Sequence, residues 1–255
     1  MPTIIACFKW VIDEAYIRRG SSGELDFSSV DYKISDYDRN AIEEAVRLKE
    51  TLGGSAIAIT VGVPAASRGV KDALSRGTDQ AWFAADDTFS HLDSSQTAAI
   101  LAEIIRSRIG QYDLIVCGEG SGDLYAQQVG PRLAENLGIP CISFVQKVTI
   151  GENRLIADRK TEDGIEVIAS PLPALVTALP DINIPRIPGV KDTLMAGKKP
   201  AVTIKKDELQ PISEVLLKTI GLAASRLERY CEKFGTDDTE ITRFVGSLRK
   251  KGVIG

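Results

Sequence analysis

The chain is 255 residues long, 44% hydrophobic and 26% charged, which excludes a disordered or fibrous polypeptide and fits one large globular domain, or one domain plus an arm. With 31 Lys and Arg against 35 Asp and Glu the net charge is −4, so a broad basic face for nucleic acid is not expected. No apolar run approaches the roughly 18 residues of a membrane span, and Ala56–Val61 breaks off at Gly62 and Pro64.

Met1-Pro-Thr-Ile-Ile leads straight into an apolar run without a basic segment or a cleavage site, so the expectation is a soluble protein of the cytoplasm. Cys7, Cys117, Cys141 and Cys231 are widely spaced, with no Cys-x-x-Cys. The first three lie in or beside apolar runs and read as small buried hydrophobes in a reducing compartment. His91 is the single histidine, and no metal site is expected.

Thr3–Phe8 is a β-branched run and reads as the first strand. A helix follows from about Asp38, where Ala41, Ala45, Leu48 and Leu52 form one stripe and Gly53-Gly54 ends it. Ala56–Val61 is the next strand; a helix through Arg68–Ser75 leads to a strand at Ala81–Ala84. Asp93 can cap a helix whose apolar face is Ile100, Leu101, Ile104 and Ile105. Asp113–Cys117 is a further strand, followed by a glycine-rich turn and a helix carrying Val129, Leu133 and Leu137. Strands alternating with helices imply right-handed crossovers and a doubly wound, mostly parallel sheet of the Rossmann or flavodoxin kind.

From about Ile142 the rhythm changes. Val145–Ile150, Arg154–Thr161 and Ile165–Ser170 read as consecutive strands joined by turns at Gly151-Glu-Asn and Glu162-Asp-Gly164, an antiparallel extension of the sheet. Beyond Lys198-Lys199-Pro200 the chain turns basic. It closes in a helix capped by Asp237 or Asp238, with Ile241, Phe244, Val245 and Leu248 on one stripe and Arg249-Lys250-Lys251 at its negative end. The expected organisation is a nucleotide-binding α/β domain over 1–200 and a C-terminal, partner-wrapping arm over 201–255.

The most informative stretch is Val116-Cys-Gly-Glu-Gly-Ser-Gly-Asp-Leu-Tyr-Ala-Gln-Gln-Val-Gly-Pro131. Glycines 118, 120 and 122 follow a strand and precede a helix, where backbone N–H groups and a helix N-terminus favour an anion. Pro131 fits only in a first helical turn, so the helix starts within 126–130. The pattern is neither Gly-x-Gly-x-x-Gly nor a Gly-Lys-Ser/Thr phosphate loop, and a tight strand-to-helix turn is the alternative reading. Lys9 leaves the first strand on the same edge, either to offset phosphate charge or as a solvated lysine. Asp38 is either a helix cap or a ligand residue, and Ser35 is a candidate nucleotide contact. Ser121 lacks the Gly-x-Ser-x-Gly frame, His91 sits in a polar loop, and no carboxylate pair stands out. No catalytic residue is therefore expected; the chain binds, or its chemistry belongs to a cofactor.

The segment Ala157-Asp-Arg-Lys-Thr-Glu-Asp-Gly-Ile-Glu-Val-Ile-Ala-Ser-Pro-Leu-Pro-Ala-Leu-Val-Thr177 resembles the signature of the electron-transfer flavoprotein beta subunits. Phe8-Lys9-Trp10-Val11, Asp38–Lys49, Cys117–Pro131, Asn183-Ile-Pro-Arg186 and the Asp238–Lys251 helix are similar to further segments of that family. The resemblance implies an electron-carrier subunit rather than a stand-alone enzyme, paired with an alpha subunit that carries FAD and holding AMP or a second FAD itself. Electrons then pass between an acyl-CoA dehydrogenase-type partner and a quinone- or ferredoxin-linked one, with flavin-based bifurcation in some members.

The nucleotide contacts it implies are Cys7, Phe8, Lys9, Ser35, Asp36, Tyr37, Asp38, Val61, Gly118, Glu119, Gly120, Ser121, Gly122, Asp123, Ala126, Gln127, Gln128 and Val129. The implied partner-recognition loop centres on Val190, with Pro188, Gly189 and Met195. Two departures point to the branch of carnitine metabolism and nitrogen fixation: Glu119 replaces a basic residue, and Ser35-Asp36 replaces Asn-Pro. The competing reading is a stand-alone adenine-nucleotide-binding module without a redox role.

Overall fold

The computed structural model describes residues 1–20, 24–151, 154–211, 213–214, 217, 219–221 and 231–255. These divide into two compact units, one of Met1–Arg18 with Asp26–Gly221 and one of Arg19–Leu25 with Leu222–Gly255. The larger unit is built on a nine-stranded sheet. Its strands are β1 (Thr3–Cys7), β2 (Ser55–Gly62), β3 (Gln80–Ala85), β4 (Leu114–Gly118), β5 (Cys141–Gly151), β6 (Arg154–Thr161), β7 (Gly164–Pro171), β8 (Ala174–Ala178) and β9 (Ala201–Lys205). In space they run β7-β6-β5-β8-β4-β1-β2-β3-β9.

All neighbours from β5 to β9 in that order pair parallel, whereas β6 and β7 pair antiparallel. Parallel strands need crossovers, and the helices that supply them are α1 (Asp36–Leu52), α2 (Ser67–Ser75), α3 (Ser94–Ile104) and α4 (Val129–Leu137). Two hydrophobic cores result. Ile4, Ala6 and Phe8 of the first strand and its exit pack with α1 and α2 residues such as Ile42, Val46 and Leu74. Ile5 and Cys7, on the opposite face, pack with Ile100, Leu101 and Ile104 of α3 and Leu133 of α4. This period-two division of one short strand between two buried layers is what a doubly wound parallel sheet demands.

The helix signals act as their sequence implies. Gly53, at φ +65°, ends α1, and Asp93 forms a reciprocal capping box with Gln96 at the start of α3. Pro131 lies in the first turn of α4, which opens at Val129. The antiparallel extension is also present, although Glu152 and Asn153 of its first expected turn lie outside the described residues.

Three features depart from the sequence reading. Strand β5 starts earlier than expected, at Cys141, because its first half pairs parallel with β8 before its second half turns to β6. The change of partner occurs around Phe144, whose φ is +61° and whose N–H is taken by the buried Thr177 hydroxyl at 3.0 Å. Cys141 itself is exposed, not buried, since it opens the strand on the face opposite Ile142. Finally, a small ribbon pairs Trp10–Ile12 with Tyr32–Ile34, and a short helix, α5 (Val190–Ala196), precedes β9.

In the smaller unit, α6 (Asp238–Lys250) is capped by Asp237, which accepts the Glu240 N–H at 3.0 Å. Among the described residues its stripe is only partly covered: Phe244 meets Phe234 edge-on at 5.2 Å between ring centroids, yet Ile241 is 50% and Phe244 43% exposed. Among the described residues, no helix is long and apolar enough to cross a membrane.

Candidate functional site

The carboxyl ends of β1, β2, β4 and β8 lie together, and β1 and β4 are direct neighbours. The chain leaving β1 passes through Phe8 to Lys9, held by Phe8 N–H on the Ile59 carbonyl (3.0 Å) and the buried Thr60 hydroxyl on the Phe8 carbonyl (2.6 Å). The Trp10–Tyr32 ribbon then returns the chain, so that Ser35 N–H donates to the Lys9 carbonyl at 3.0 Å. A local hairpin therefore delivers the start of α1 to the end of β1.

Two buried polar residues tie this junction to the glycine-rich loop. Asp38 does not cap its own helix. One carboxylate oxygen accepts the Lys9 N–H at 2.8 Å and the other the Gly118 N–H at 3.2 Å, joining the exits of β1 and β4. Burial pushes its pKa up to about 7, against the two N–H groups and the Lys9 charge, which favour the carboxylate. Ser35 is 0% exposed, and its hydroxyl accepts the Gly122 N–H at 3.2 Å.

The loop itself rises from β4 with Glu119 N–H on the Ala178 carbonyl at 3.1 Å. A Cβ at Gly118 would lie 2.6 Å from an Asp38 oxygen, and one at Gly120 would lie 2.6 Å from the Tyr125 ring, so both positions require glycine. Lys9 Nζ pairs with Asp123, whose other oxygen accepts from the Ser121 hydroxyl and from Leu124 N–H at 2.8 Å. Burial works against ionisation of Asp123, but Lys9 and the hydrogen bonds outweigh it and hold the pKa below the ordinary value. Beneath the loop the Cys117 thiol is raised well above its usual range by its Cys7 neighbour and by burial; both cysteines are free and buried.

The structure thus brings together Phe8, Lys9, Ser35, Asp38 and Gly118 to Asp123. Val61, half-buried, lies near the end of β2 on the same edge. Gln128 precedes α4 without capping it, Val129 is its first residue, and Pro131 contributes no N–H, which leaves the helix start open to an anion. Ala126 is exposed and Gln127 adopts φ +56°. Asp36 instead turns to Lys33 and Arg39, both at 2.8 Å.

Tyr125 lies inside the loop the resemblance implies, but the sequence does not single it out. Its hydroxyl donates to Glu119 at 2.8 Å, and its ring centroid lies 5.2 Å from that of Tyr37. Nothing in the spacing of the loop announces a tyrosine at φ +46°, a conformation usually left to Gly, Asn or Asp.

Pro188, Gly189, Val190 and Met195 belong to a separate segment at α5. Arg186 fixes its base by forking onto Glu43 and Glu50, with contacts from 2.8 Å, while Asn183 and Asn40 exchange hydrogen bonds. Beyond that anchor Ile187, Val190 and Leu194 are 93%, 79% and 71% exposed.

A match to the family model for the electron transfer flavoprotein domain covers residues 23–209. The chain belongs to that family. The electron transfer flavoprotein match includes α1, the glycine-rich loop, the antiparallel hairpin and α5, and it is consistent with a beta-type subunit. An electron-transfer flavoprotein role follows for the chain in general terms, and the family is flavin-associated. An uncapped helix start and one lysine, paired here with Asp123, suit an anion at this edge, while Gly118 and Gly120 are closed by the chain's own Asp38 and Tyr125.

Proposed function

We propose that this chain is the beta subunit of a cytoplasmic electron-transfer flavoprotein, working as a heterodimer with an alpha subunit that carries FAD. In this reading the edge formed by Lys9, Ser35, Asp38 and Gly118–Val129 holds AMP or a second FAD. The observation that carries it is the convergence of three separate segments, through Asp38 and Ser35, beneath a loop whose Gly118 and Gly120 admit no side chain. A bound flavin supplies reversible electron uptake.

The residues of the chain do the rest. Loop N–H groups and the start of α4 receive the phosphate, Lys9 offsets its charge once released from Asp123, and Asp38 keeps the two strand exits in register. Val190, within Pro188–Met195, presents the apolar contact for an acyl-CoA dehydrogenase-type partner, with a quinone- or ferredoxin-linked acceptor completing the transfer. The exposed stripe of α6 supports a partner-binding role for the C-terminal arm, 201–255, although β9 at its start is part of the central sheet.

The test is a nucleotide census of the heterodimer after denaturation. Two FAD and no AMP per complex places a second flavin in this chain and makes bifurcation the leading mechanism. One FAD with one AMP makes the chain a nucleotide holder and docking platform. A well-folded monomer that hydrolyses ATP unaided would overturn the redox reading in favour of a stand-alone nucleotide module.

A further inference from the structure

In the glycine-rich loop a cation would serve a phosphate best, yet Glu119 stands there. Glu119 is only 8% exposed, and one of its oxygens accepts the Tyr125 hydroxyl at 2.8 Å. The Tyr125 ring lies over Gly120, where a Cβ would come within 2.6 Å of it, and beside Tyr37 with the two planes 42° apart. Despite these three contacts the residue is 44% exposed.

Holding it there is costly. Tyr125 has φ +46° and Gln127 φ +56°, and a non-glycine residue in that region costs on the order of 1–3 kcal/mol. A side chain used only for packing gains little by staying half in solvent at that cost. A ring presented at a ligand edge gains a stacking surface whose position is set in advance.

We infer that Tyr125, with Tyr37 beside it, is the aromatic platform on which the planar heteroaromatic ring of the bound nucleotide stacks, and that Glu119 is the positioning residue that fixes it. This rests on the nucleotide reading of the site and adds the residue that grips the ring rather than the phosphate. It also explains the acidic residue in a phosphate-type loop, because the Glu119 carboxylate is spent on Tyr125.

The experiment compares AMP with ribose 5-phosphate, which keeps the sugar and the phosphate but has no ring. Both are titrated into the full chain, in its heterodimer, after removal of bound nucleotide. Tyr125→Ala is expected to weaken AMP by about tenfold or more, the scale of one base–aromatic stack, while leaving ribose 5-phosphate unchanged. Tyr125→Phe should keep most of the AMP affinity. Glu119→Ala should lower it, and Glu119→Gln, which retains an acceptor for the tyrosine hydroxyl, should restore it.

Equal losses for both ligands in Tyr125→Ala would mean that the tyrosine only shapes the loop, and unchanged AMP affinity would remove the platform. A wild-type heterodimer that takes up neither AMP nor FAD would overturn the nucleotide reading, and the platform with it.

Discussion

Asp38 and Lys9 are joined by a 2.8 Å hydrogen bond from backbone to carboxylate, across 29 residues of chain, and the second oxygen of Asp38 reaches Gly118. One buried side chain thus clamps the exits of two adjacent parallel strands. Asn at position 38 keeps one acceptor oxygen and turns an amide donor towards the other N–H. Asp38→Asn should therefore lower stability by about 1–3 kcal/mol, measured by denaturant unfolding, and loosen nucleotide retention.

The same residue sets a pH dependence. Its folded pKa is about 7 against an ordinary 3.8, so between those values the folded chain keeps a proton that the unfolded chain has released. The stabilisation is complete below the unfolded value and is lost as pH rises through about 7. Melting temperatures taken from pH 5 to pH 8 should fall more steeply in the wild type than in Asp38→Asn; parallel curves would show that Asp38 ionises normally.

Much of the site is legible in the sequence. Glycines 118 and 120, Lys9 and Ser35 stand out because strand-to-helix turns on one sheet edge select such residues. The Asp38 alternatives are not separable at that level, since capping and cross-strand clamping use the same short carboxylate. Tyr125 escapes notice because its position depends on a left-handed backbone that no periodicity records. The Trp10–Tyr32 ribbon escapes because three-residue strands are too short for a pattern, and β9 because only Ile204 of its five residues is buried, so it lacks the apolar run that marks β1. Thr177 looks like the end of a signature, and its purpose becomes visible only beside Phe144 N–H.

The glycines of the loop should separate cleanly. A methyl group added at Gly122 would meet nothing within 4 Å, whereas Gly120 is closed by Tyr125. Gly122→Ala should leave the melting temperature of the nucleotide-free chain nearly unchanged. Gly120→Ala should displace the Tyr125 ring and reduce nucleotide content per heterodimer, read by chromatography of released nucleotide.

Arg186 is the anchor of the exposed α5 segment. Removing it leaves Glu43, 6% exposed, without its guanidinium partner, and breaking a buried pair costs about 3–5 kcal/mol in the fully buried limit. The Arg186 side chain is 33% exposed, so Arg186→Ala should cost less than that limit, about 2 kcal/mol. If the α5 segment docks the proposed dehydrogenase-type partner, electron transfer to it should slow in the same variant at temperatures where it remains folded, because Ile187 and Val190 lose their fixed base. Arg186→Lys, which cannot fork onto both carboxylates, should recover only part of either property.

The final helix offers the plainest test of assembly. Ile241 is half exposed on the stripe of α6, while Thr242, one position on, is exposed off the stripe. If the stripe is buried by the alpha subunit, Ile241→Asp places a charge in a dry interface and should weaken heterodimer formation by about tenfold or more, since each 1.4 kcal/mol is a factor of ten. Thr242→Asp should leave it unchanged. Sedimentation of the mixed subunits reads both outcomes, and equal affinity for the two variants would mean that α6 serves its own chain rather than a partner.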